Sequence, residues 1–554
     1  RVCDTPASTI EARCALGIVY VSILKRAADA VNTGNVADSG TLSQGPLELP
    51  IPALPNVFIL LDDSEAMASD ILTDQSEGYY AVGNLTKTWF LPEDGTGRPS
   101  YAVSEAKDST SGLWRLRNKD YNKVYYNPEI TYLPWVGLDN RGDNFTNSDP
   151  TAAISDPYTQ NSRKINLTVG QDMPGSDSNV FLAKHYIWTD IDDAINCPDN
   201  VVGVVDGTSP FTAAGGICTE GTLVEIKPAT SIYPKGPNRT DCVGINCTYA
   251  EEIQNFANFY SFGRTRHYTA KNALGGILAA SENMRIGFGA FGGKDDNINI
   301  TEMNESALTG HKGELLNRLY RNNASSNSTP IRDSLERTGR YYECENSNTI
   351  ITSGGTCPVL PAPEGNCQQN FTLVVTAGFW NGNTNTLSTD DADGDDSSNW
   401  DGGRYADAGS TTPTLADIAM HFYERDLHPS LSNEVPATDN DLAGAAASAF
   451  GGSTLNRTMH QHMPTYVVAF GVEGSLSPTD VPTDYTTAFD WGDAVTDDEK
   501  LNDLLHTAVN GRGSYLDAGD PEELKSALKT AFSEFSQAIG TASAVSFNSQ
   551  EVQQ

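Results

Sequence analysis

Short, largely apolar runs recur along the chain and predict the strands of a buried sheet. The first, V-F-I-L-L at residues 57–61, ends directly in two aspartates. Runs of this length without polar alternation are typical of parallel strands, because helices cover both faces of such a sheet. Further strands are predicted at residues 284–291, 371–375, 466–470 and 514–517.

Between these runs, apolar residues are spaced three or four apart, which predicts helices. Thr329 is expected to be the N-cap of one helix, with Pro330 in its first position. Asp520 is expected to cap the last helix, followed by Pro521. The predicted helices cover residues 269–281, 315–320, 330–342, 415–422, 501–509 and a segment from 521 to 539. Strands that alternate with such helices predict an α/β fold with a doubly wound, mostly parallel sheet.

Two polar stretches interrupt this alternation and suggest how the chain is divided. One is rich in Asn, Asp, Ser, Thr, Gly, Tyr and Pro, and is predicted to form an insertion of short strands and loops after the first strand. The other is a shorter acidic loop. The predicted division is an N-terminal segment (1–50), an α/β domain (51–67 and 256–545), the insertion (68–255), the acidic loop (383–412) and a tail or linker to a further C-terminal domain (546–554).

Charge and motif content narrow the function. The 554 residues carry a formal net charge of −36, which disfavours binding to a phosphate backbone, so no nucleic-acid partner is expected. No apolar run reaches 18 residues, so no transmembrane segment is predicted. The chain begins at Arg1, which suggests a processed, exported protein. A nucleophile elbow, a P-loop, a Rossmann glycine fingerprint and H-E-x-x-H are all missing from the sequence, so we expect binding rather than catalysis.

The nine cysteines point to an oxidising compartment. None forms a C-x-x-C pair, so zinc or thioredoxin-like chemistry is not indicated. Most are expected in disulfides, for example Cys242 with Cys247, and Cys344 with either Cys357 or Cys367. The odd number leaves one thiol free or paired outside the chain. The remaining four are Cys3, Cys14, Cys197 and Cys218.

Seven blocks of sequence resemble, in order, the PilY-type family of type IV pilus tip-associated and assembly proteins. The first, L-P-N-V-F-I-L-L-D-D-S-E-A-M at residues 54–67, is similar to the first strand and metal-site loop of a von Willebrand factor A domain. The resemblance therefore implies a von Willebrand A (Rossmann-like) domain. The other blocks are residues 121–135, 255–266, 328–342, 367–382, 414–423 and 508–518.

The resemblance also implies a role. Members of this family are exported through the periplasm to the cell surface and associate with type IV pili, so a tip adhesin or an assembly and attachment factor is expected. The implied partners are minor pilins or the pilus tip, a host or abiotic surface ligand, and a C-terminal β-propeller domain that would follow this chain. Two alternatives stay open, namely a structural subunit of an extracellular filament and a hydrolase located in the insertion.

An A domain of this kind binds Mg²⁺ or Ca²⁺ through hydroxyl and carboxylate oxygens. By resemblance, Asp62, Ser64 and Thr329 match three of its ligand positions. The other two positions hold Ala66 and Ala377, which have no side-chain oxygen. We therefore expect a degenerate site that binds metal weakly or not at all. In the alternative interpretation, Asp62 and Ser64 bind loop amides and Thr329 caps its helix.

A second candidate site lies in the acidic loop. Asp391, Asp393 and Asp395 occupy alternate positions, as in a calcium loop, although the glycine and glutamate of that motif are missing. The alternative is a solvated acidic loop without an ion. No cofactor is certain from the sequence; Ca²⁺ or Mg²⁺ are the candidates.

Overall fold

A six-stranded sheet lies at the centre of the computed structural model, with the first predicted strand in its interior. In chain order its strands are β1 (Asn56–Leu61), β2 (Arg285–Ala290), β3 (Ile298–Glu302), β4 (Asn370–Thr376), β5 (Thr465–Phe470) and β6 (Arg512–Ala518). Their order across the sheet is β6-β5-β4-β1-β2-β3. All neighbouring pairs are parallel except β2 and β3, which are antiparallel. The predicted α/β class with a mostly parallel sheet is confirmed.

The structure describes the greater part of the chain from residue 53 onward, and all described residues belong to the unit Ile51–Gln554. The predicted segments 1–50 and 546–554 lie outside the described residues, as do large parts of 68–255 and of 383–412. The described ranges are 53–73, 116–170, 181–188, 221–292, 296–303, 309–324, 328–382, 391–394, 401–407, 413–438, 451–453 and 456–538.

Helices cover both faces of the sheet. Successive side chains of β1 point to opposite faces, so they pack against helices on both sides. Val57, Ile59 and Leu61 pack into one core cluster and Phe58 and Leu60 into another. The described helices are α1 (Tyr249–Phe262), α2 (Arg266–Ala280), α3 (Gly310–Arg321), α4 (Ile331–Tyr342), α5 (Leu415–Glu424), α6 (Asp497–Asn510) and α7 (Pro521–Gln537). Side chains of α2, α3 and α7 contribute to the first cluster, and those of α4, α5 and α6 to the second. Among these helices, none is long and apolar enough to cross a bilayer.

The two edges of the sheet differ from the sequence prediction. β3 has the sequence I-N-I-T-E, in which only the central isoleucine is buried. It contains no apolar run, so it was not predicted from the sequence. β6 at the opposite edge is mostly half-exposed, although it was predicted as a buried strand. An edge strand has a neighbour on one side only, so it is covered less completely than β1, whose six residues are all buried.

The caps of two helices test the predicted starts. At α7, the Asp520 side chain accepts hydrogen bonds from two backbone amides and Pro521 is the first helical residue, which confirms the prediction. At α4 the prediction is wrong, because Pro330 occupies the N-cap position and no side chain makes a capping hydrogen bond. Thr329 precedes this proline and so lies one residue outside the helix cap.

Short strands and loops fill the described part of residues 116–248. The strand pairs are Ala153–Ile154 with Lys164–Ile165, Lys184–Trp188 with Gly221–Glu225, and Ile232–Pro234 with Asn246–Thr248. Aromatic residues of this region pack on one face of α1, including Tyr125 and Tyr126 against Phe256 and Phe259. Because α1 begins at Tyr249, helical structure starts before the predicted boundary at residue 256.

Candidate functional site

The loop that follows β1 is organised by the side chain of Asp62, which is completely buried. Its Oδ1 accepts a hydrogen bond from the backbone amide of Ser64 at 2.8 Å. Its Oδ2 accepts one from the Thr376 hydroxyl at 2.9 Å and one from the Ala377 amide at 3.2 Å. Burial raises the pKa of Asp62, and these hydrogen bonds oppose that shift. Asp62 therefore joins the end of β1 to the end of β4.

These contacts do not fit the metal site that the family resemblance implies. Both oxygens of Asp62 are engaged by hydrogen-bond donors, and the amide of Ala377 reaches the carboxylate where the family would place a further ligand. Ala66 and Ala377 contribute no side-chain oxygen. The amides of Ser64 and Ala377 and the Thr376 hydroxyl satisfy the Asp62 carboxylate without an ion, in line with the alternative interpretation for Asp62, whereas the buried Ser64 hydroxyl has no hydrogen-bond partner among the described residues. Weak or absent metal binding stays a prediction.

Thr329 does not cap α4, and its backbone makes a contact that was not predicted from the sequence. Its amide donates to the Asn381 side chain at 2.8 Å, and its carbonyl accepts from the Asn381 amide at 3.0 Å. Asn381 lies four residues beyond Ala377, so Thr329 holds the loop that follows β4. The residue before a proline is restricted to extended backbone, which suits this strand-like exchange of hydrogen bonds.

Asp63 connects the same loop to the end of β2. Its Oδ1 accepts a hydrogen bond from the Gly292 amide at 2.8 Å. Burial, and to a smaller extent the charge of Asp62, raise the pKa of Asp63 to about 6, against the opposing effects of the Gly292 amide and Arg318. The carboxyl ends of β1, β2 and β4 are thus joined through two adjacent aspartates, of which the sequence analysis used one.

The acidic loop brings a second group of carboxylates together. Oxygen atoms of Asp391, Asp393 and Asp407 all lie within 4.8 Å of one another. Asp393 is fully buried and accepts hydrogen bonds from the Asp407 amide at 3.2 Å and the Asn510 side chain at 2.6 Å. The interpretation of this segment as a solvated acidic loop is therefore wrong for Asp393. Asp395 lies outside the described residues.

The electrostatics of this group explain what it can do chemically. Burial, and then the charges of Asp417 and Asp407, raise the pKa of Asp393 well above its usual range. Burial also raises the pKa of Asp417 to about 7, and it lowers the pKa of the neighbouring His506 to about 3. His506 is therefore uncharged at neutral pH. Protonation would relieve the repulsion between these carboxylates, and a Ca²⁺ ion bound by their oxygens would relieve it in the same way.

A further buried carboxylate, Asp503, was not predicted from the sequence. It accepts hydrogen bonds from the amides of Leu415 and Ala416 in the first turn of α5, at 2.8 and 3.0 Å, and from the Trp380 indole at 2.5 Å. Burial raises its pKa to about 6, although these donors oppose the shift. Arg332 lies 3.7 Å above the Trp380 ring. Asp503 thus links α6, the start of α5 and the loop after β4.

No short sequence pattern would have revealed the partners of these aspartates. Asp407 follows Asp393 by 14 residues in a loop of Gly, Asp and Ser, where one acidic residue looks like another. Asp503 lies in a helix, 123 residues after Trp380. An aspartate at an otherwise apolar helix position is the one sequence feature that sets it apart.

Two disulfides lie in the described part of the chain. Cys242 pairs with Cys247, as expected, and Cys344 pairs with Cys357 rather than with Cys367. Cys367 is buried and forms no disulfide with another described cysteine. Cys3, Cys14, Cys197 and Cys218 lie outside the described residues, so their predicted pairing stays a prediction.

The chain is thus an α/β protein whose buried aspartates join loops at the carboxyl ends of parallel strands. No family model matches the chain. The type IV pilus biogenesis factor PilY1 of Pseudomonas aeruginosa strain UCBPP-PA14 is 24% identical over 561 residues, which covers 96% of this chain and 41% of that protein. PilY1 of strain PAK is 25% identical over 527 residues, with 88% and 39% covered.

These matches support the PilY-type resemblance that the sequence blocks indicate. The chain spans about two fifths of the length of each of these two PilY1 proteins. Among solved structures, the pilus adhesin SpaC from Lactobacillus rhamnosus GG aligns with 49% of this chain and 28% of its own. That alignment has a TM-score of 0.23 and 11% identity, too low to bear on fold or function.

Proposed function

We propose that this protein is a non-catalytic, exported binding protein that acts at the type IV pilus, as a tip adhesin or as an assembly and surface-attachment factor. The observation that carries the proposal is the sequence similarity to PilY1, a type IV pilus biogenesis factor, over 96% of the chain. Two disulfides support an oxidising location outside the cytoplasm. The pilus tip or its minor subunits, and a host or abiotic surface, are the partners we propose.

We also infer that the central sheet is a von Willebrand A domain and that residues 68–255 are an insertion in it. Support comes from the interior position of β1, from helices on both faces, and from the Asp62–Ser64 turn directly after β1. Ligands of open α/β sheets bind beyond the carboxyl ends of the strands. The proposed binding face therefore comprises the loops after β1, β2 and β4 together with the insertion.

Binding at this face would not require a metal bridge at Asp62. A ligand carboxylate coordinated by a metal needs an ion with an open position, whereas the oxygens of Asp62 are satisfied by amides and a hydroxyl. Hydrogen-bonding and apolar groups displayed by the rigid loops would supply the affinity instead.

The test is to delete the gene in the source bacterium and restore it with an epitope-tagged copy. We expect deletion to reduce surface piliation and attachment, and gold-labelled antibody to mark single particles at pilus ends. Label along the whole length of a fibre would favour a structural filament subunit. Normal piliation, twitching and attachment in the deletion strain would contradict the proposal. Peptide and glycan hydrolysis assays on the purified protein should detect no turnover.

A further inference from the structure

A disulfide-closed loop projects from a small hairpin next to α1. The hairpin strands Ile232–Pro234 and Asn246–Thr248 are antiparallel, and their central residues Tyr233 and Cys247 point into the core. Cys242 and Cys247 are five residues apart and bonded to each other. The intervening residues are Val243, Gly244, Ile245 and Asn246. The loop is therefore anchored at one side and free to display its other side chains.

Val243 and Ile245 are almost completely exposed to solvent, at 96% and 92% of their possible surface. Among the exposed large apolar residues of the described chain, these two have the highest exposure and lie two positions apart. Ile232 on the same hairpin is 60% exposed. A cluster of exposed aliphatic side chains costs solubility without adding to the core, and such clusters commonly mark binding surfaces.

Several contacts hold the loop in place, so the exposure of its side chains does not result from a lack of anchoring contacts. The Lys235 ammonium donates to the Cys242 carbonyl at 2.7 Å. The Val243 amide donates to a carboxylate oxygen of Glu251 at 3.0 Å. Glu251 in turn belongs to the capping box that begins α1 with Thr248. A loop fixed in this way loses little conformational entropy when it binds.

We propose that Val243 and Ile245 form an apolar anchor that inserts into an aliphatic pocket on a protein subunit of the pilus. This inference rests on the proposed function and names the surface through which the protein engages its partner. Near the pair in sequence lie the exposed polar residues Thr240, Asn246 and Thr248 and the partly buried carboxylates of Asp241 and Glu251. A few apolar anchors inside a polar rim are the usual composition of a protein–protein interface.

A lipid surface fits this chemistry less well. Membrane-binding segments combine apolar residues with cations that are attracted to anionic lipids, whereas the single lysine of this hairpin is engaged by the Cys242 carbonyl and the chain carries a net charge of −36. A flat apolar solid would cover only one side of each side chain. A pocket that encloses both would bury most of their surface, which gives the larger gain.

The experiment measures binding of the whole protein to purified pili of the source bacterium by cosedimentation. The test variant carries Val243→Ser and Ile245→Ser together. The matched control is Val495→Ser, because Val495 is also an exposed valine (70%) whose amide donates to the glutamate of a helix capping box. We expect the double variant to bind roughly 30-fold more weakly, or about 2 kcal/mol, and the control to bind as the wild type does.

A further variant separates loop rigidity from side-chain chemistry. Replacing both cysteines (Cys242→Ser and Cys247→Ser) keeps the two apolar side chains but loosens the loop, so we expect an intermediate loss of affinity. Equal binding by wild type and double variant would overturn the inference, as would equal weakening by Val495→Ser. Loss of binding to phosphatidylcholine vesicles, with pilus binding unchanged, would overturn it in favour of lipid. If the wild type does not bind pili at all, the proposed function itself fails.

Discussion

Replacing Asp62 by alanine should loosen the junction between β1 and β4, and its effect can be estimated from the hydrogen bonds that are lost. The Ser64 and Ala377 amides would lose their acceptor, and both residues are buried. The Thr376 hydroxyl would keep its second acceptor, the Gly378 carbonyl at 3.0 Å. Two orphaned buried amides cost about 1–3 kcal/mol each. The substitution also removes a carboxylate whose burial is unfavourable, as its raised pKa indicates, and this offsets part of the cost of the two amides. We therefore expect the free energy of unfolding to fall by about 2–4 kcal/mol.

Hydrogen exchange followed by mass spectrometry suits this prediction, because it reports local opening without requiring that the whole chain unfold in one step. Peptides that span residues 57–67 and 371–382 should exchange at least about 30-fold faster in Asp62→Ala. The conservative variant Asp62→Asn retains one oxygen acceptor and should show a smaller increase. Peptides of α7 serve as the internal control, because none of the hydrogen-bond partners of Asp62 lies in this helix.

Two outcomes would refute this account of Asp62. If Asp62→Ala exchanged at the wild-type rate, the three hydrogen bonds would not hold the loop. If Mg²⁺ or Ca²⁺ slowed exchange of these peptides in the wild type and not in the variant, Asp62 would be a metal ligand after all. We expect neither cation to change exchange at this loop, because the carboxylate oxygens already have donors.

Three further predictions concern the packing and titration of other residues. The pKa of Asp417 is raised from 3.8 to about 7 in the folded protein, so its contribution to stability is fully present below about pH 4 and is lost as the pH rises through 7. Asp417→Asn should therefore reduce the stability difference between pH 5 and pH 8 by about 2–3 kcal/mol, as measured by thermal melting; an unchanged pH profile would contradict it. Gly339→Ala would place a methyl group 2.3 Å from the Phe422 ring and should destabilise the fold by about 1–3 kcal/mol, whereas Gly276→Ala, which meets open space, should be neutral or slightly stabilising in the same melting assay. Asn122→Ala removes three buried hydrogen bonds to backbone groups and should cost about 2–4 kcal/mol, visible as faster proteolysis of the region between residues 116 and 126; wild-type resistance would argue against it.

The sequence was most informative about the interior of the sheet. Residues 57–61 and 466–470 are continuous apolar runs, residues 371–375 are interrupted only by Thr372, and each segment lies within a strand buried on both faces. This pattern does not depend on which strands are neighbours in the sheet, so each strand could be predicted from its own sequence. β3 could not be found in this way, because an antiparallel edge strand with one buried residue differs little from a polar loop.

The site was harder to predict, because its geometry depends on residues that are distant in sequence. Asp62 was recognised from the motif that follows the first strand, but its partners Thr376 and Ala377 are 314 and 315 residues away. Similarly, Asp393 and Asp391 were identified from their spacing, whereas Asp407 joins them only when the loop folds back. Composition indicated an acidic, solvated segment there, and burial of Asp393 by α6 overrode that expectation.

One physical theme connects the buried aspartates at this side of the sheet. Asp62 accepts hydrogen bonds from the amides of two separate loops, Asp503 from two amides at the start of α5, and Asp417 from the amides of residues 392 and 414. In each case backbone amides, rather than a cation, compensate the buried carboxylate, which is a common way to satisfy such groups. A loop held by amides keeps its shape without a metal ion, so alanine at positions 66 and 377 is compatible with a rigid loop after β1 and β4. The affinity of the proposed binding face would then depend on the groups that these loops and the insertion display, and the insertion includes the aliphatic pair Val243 and Ile245.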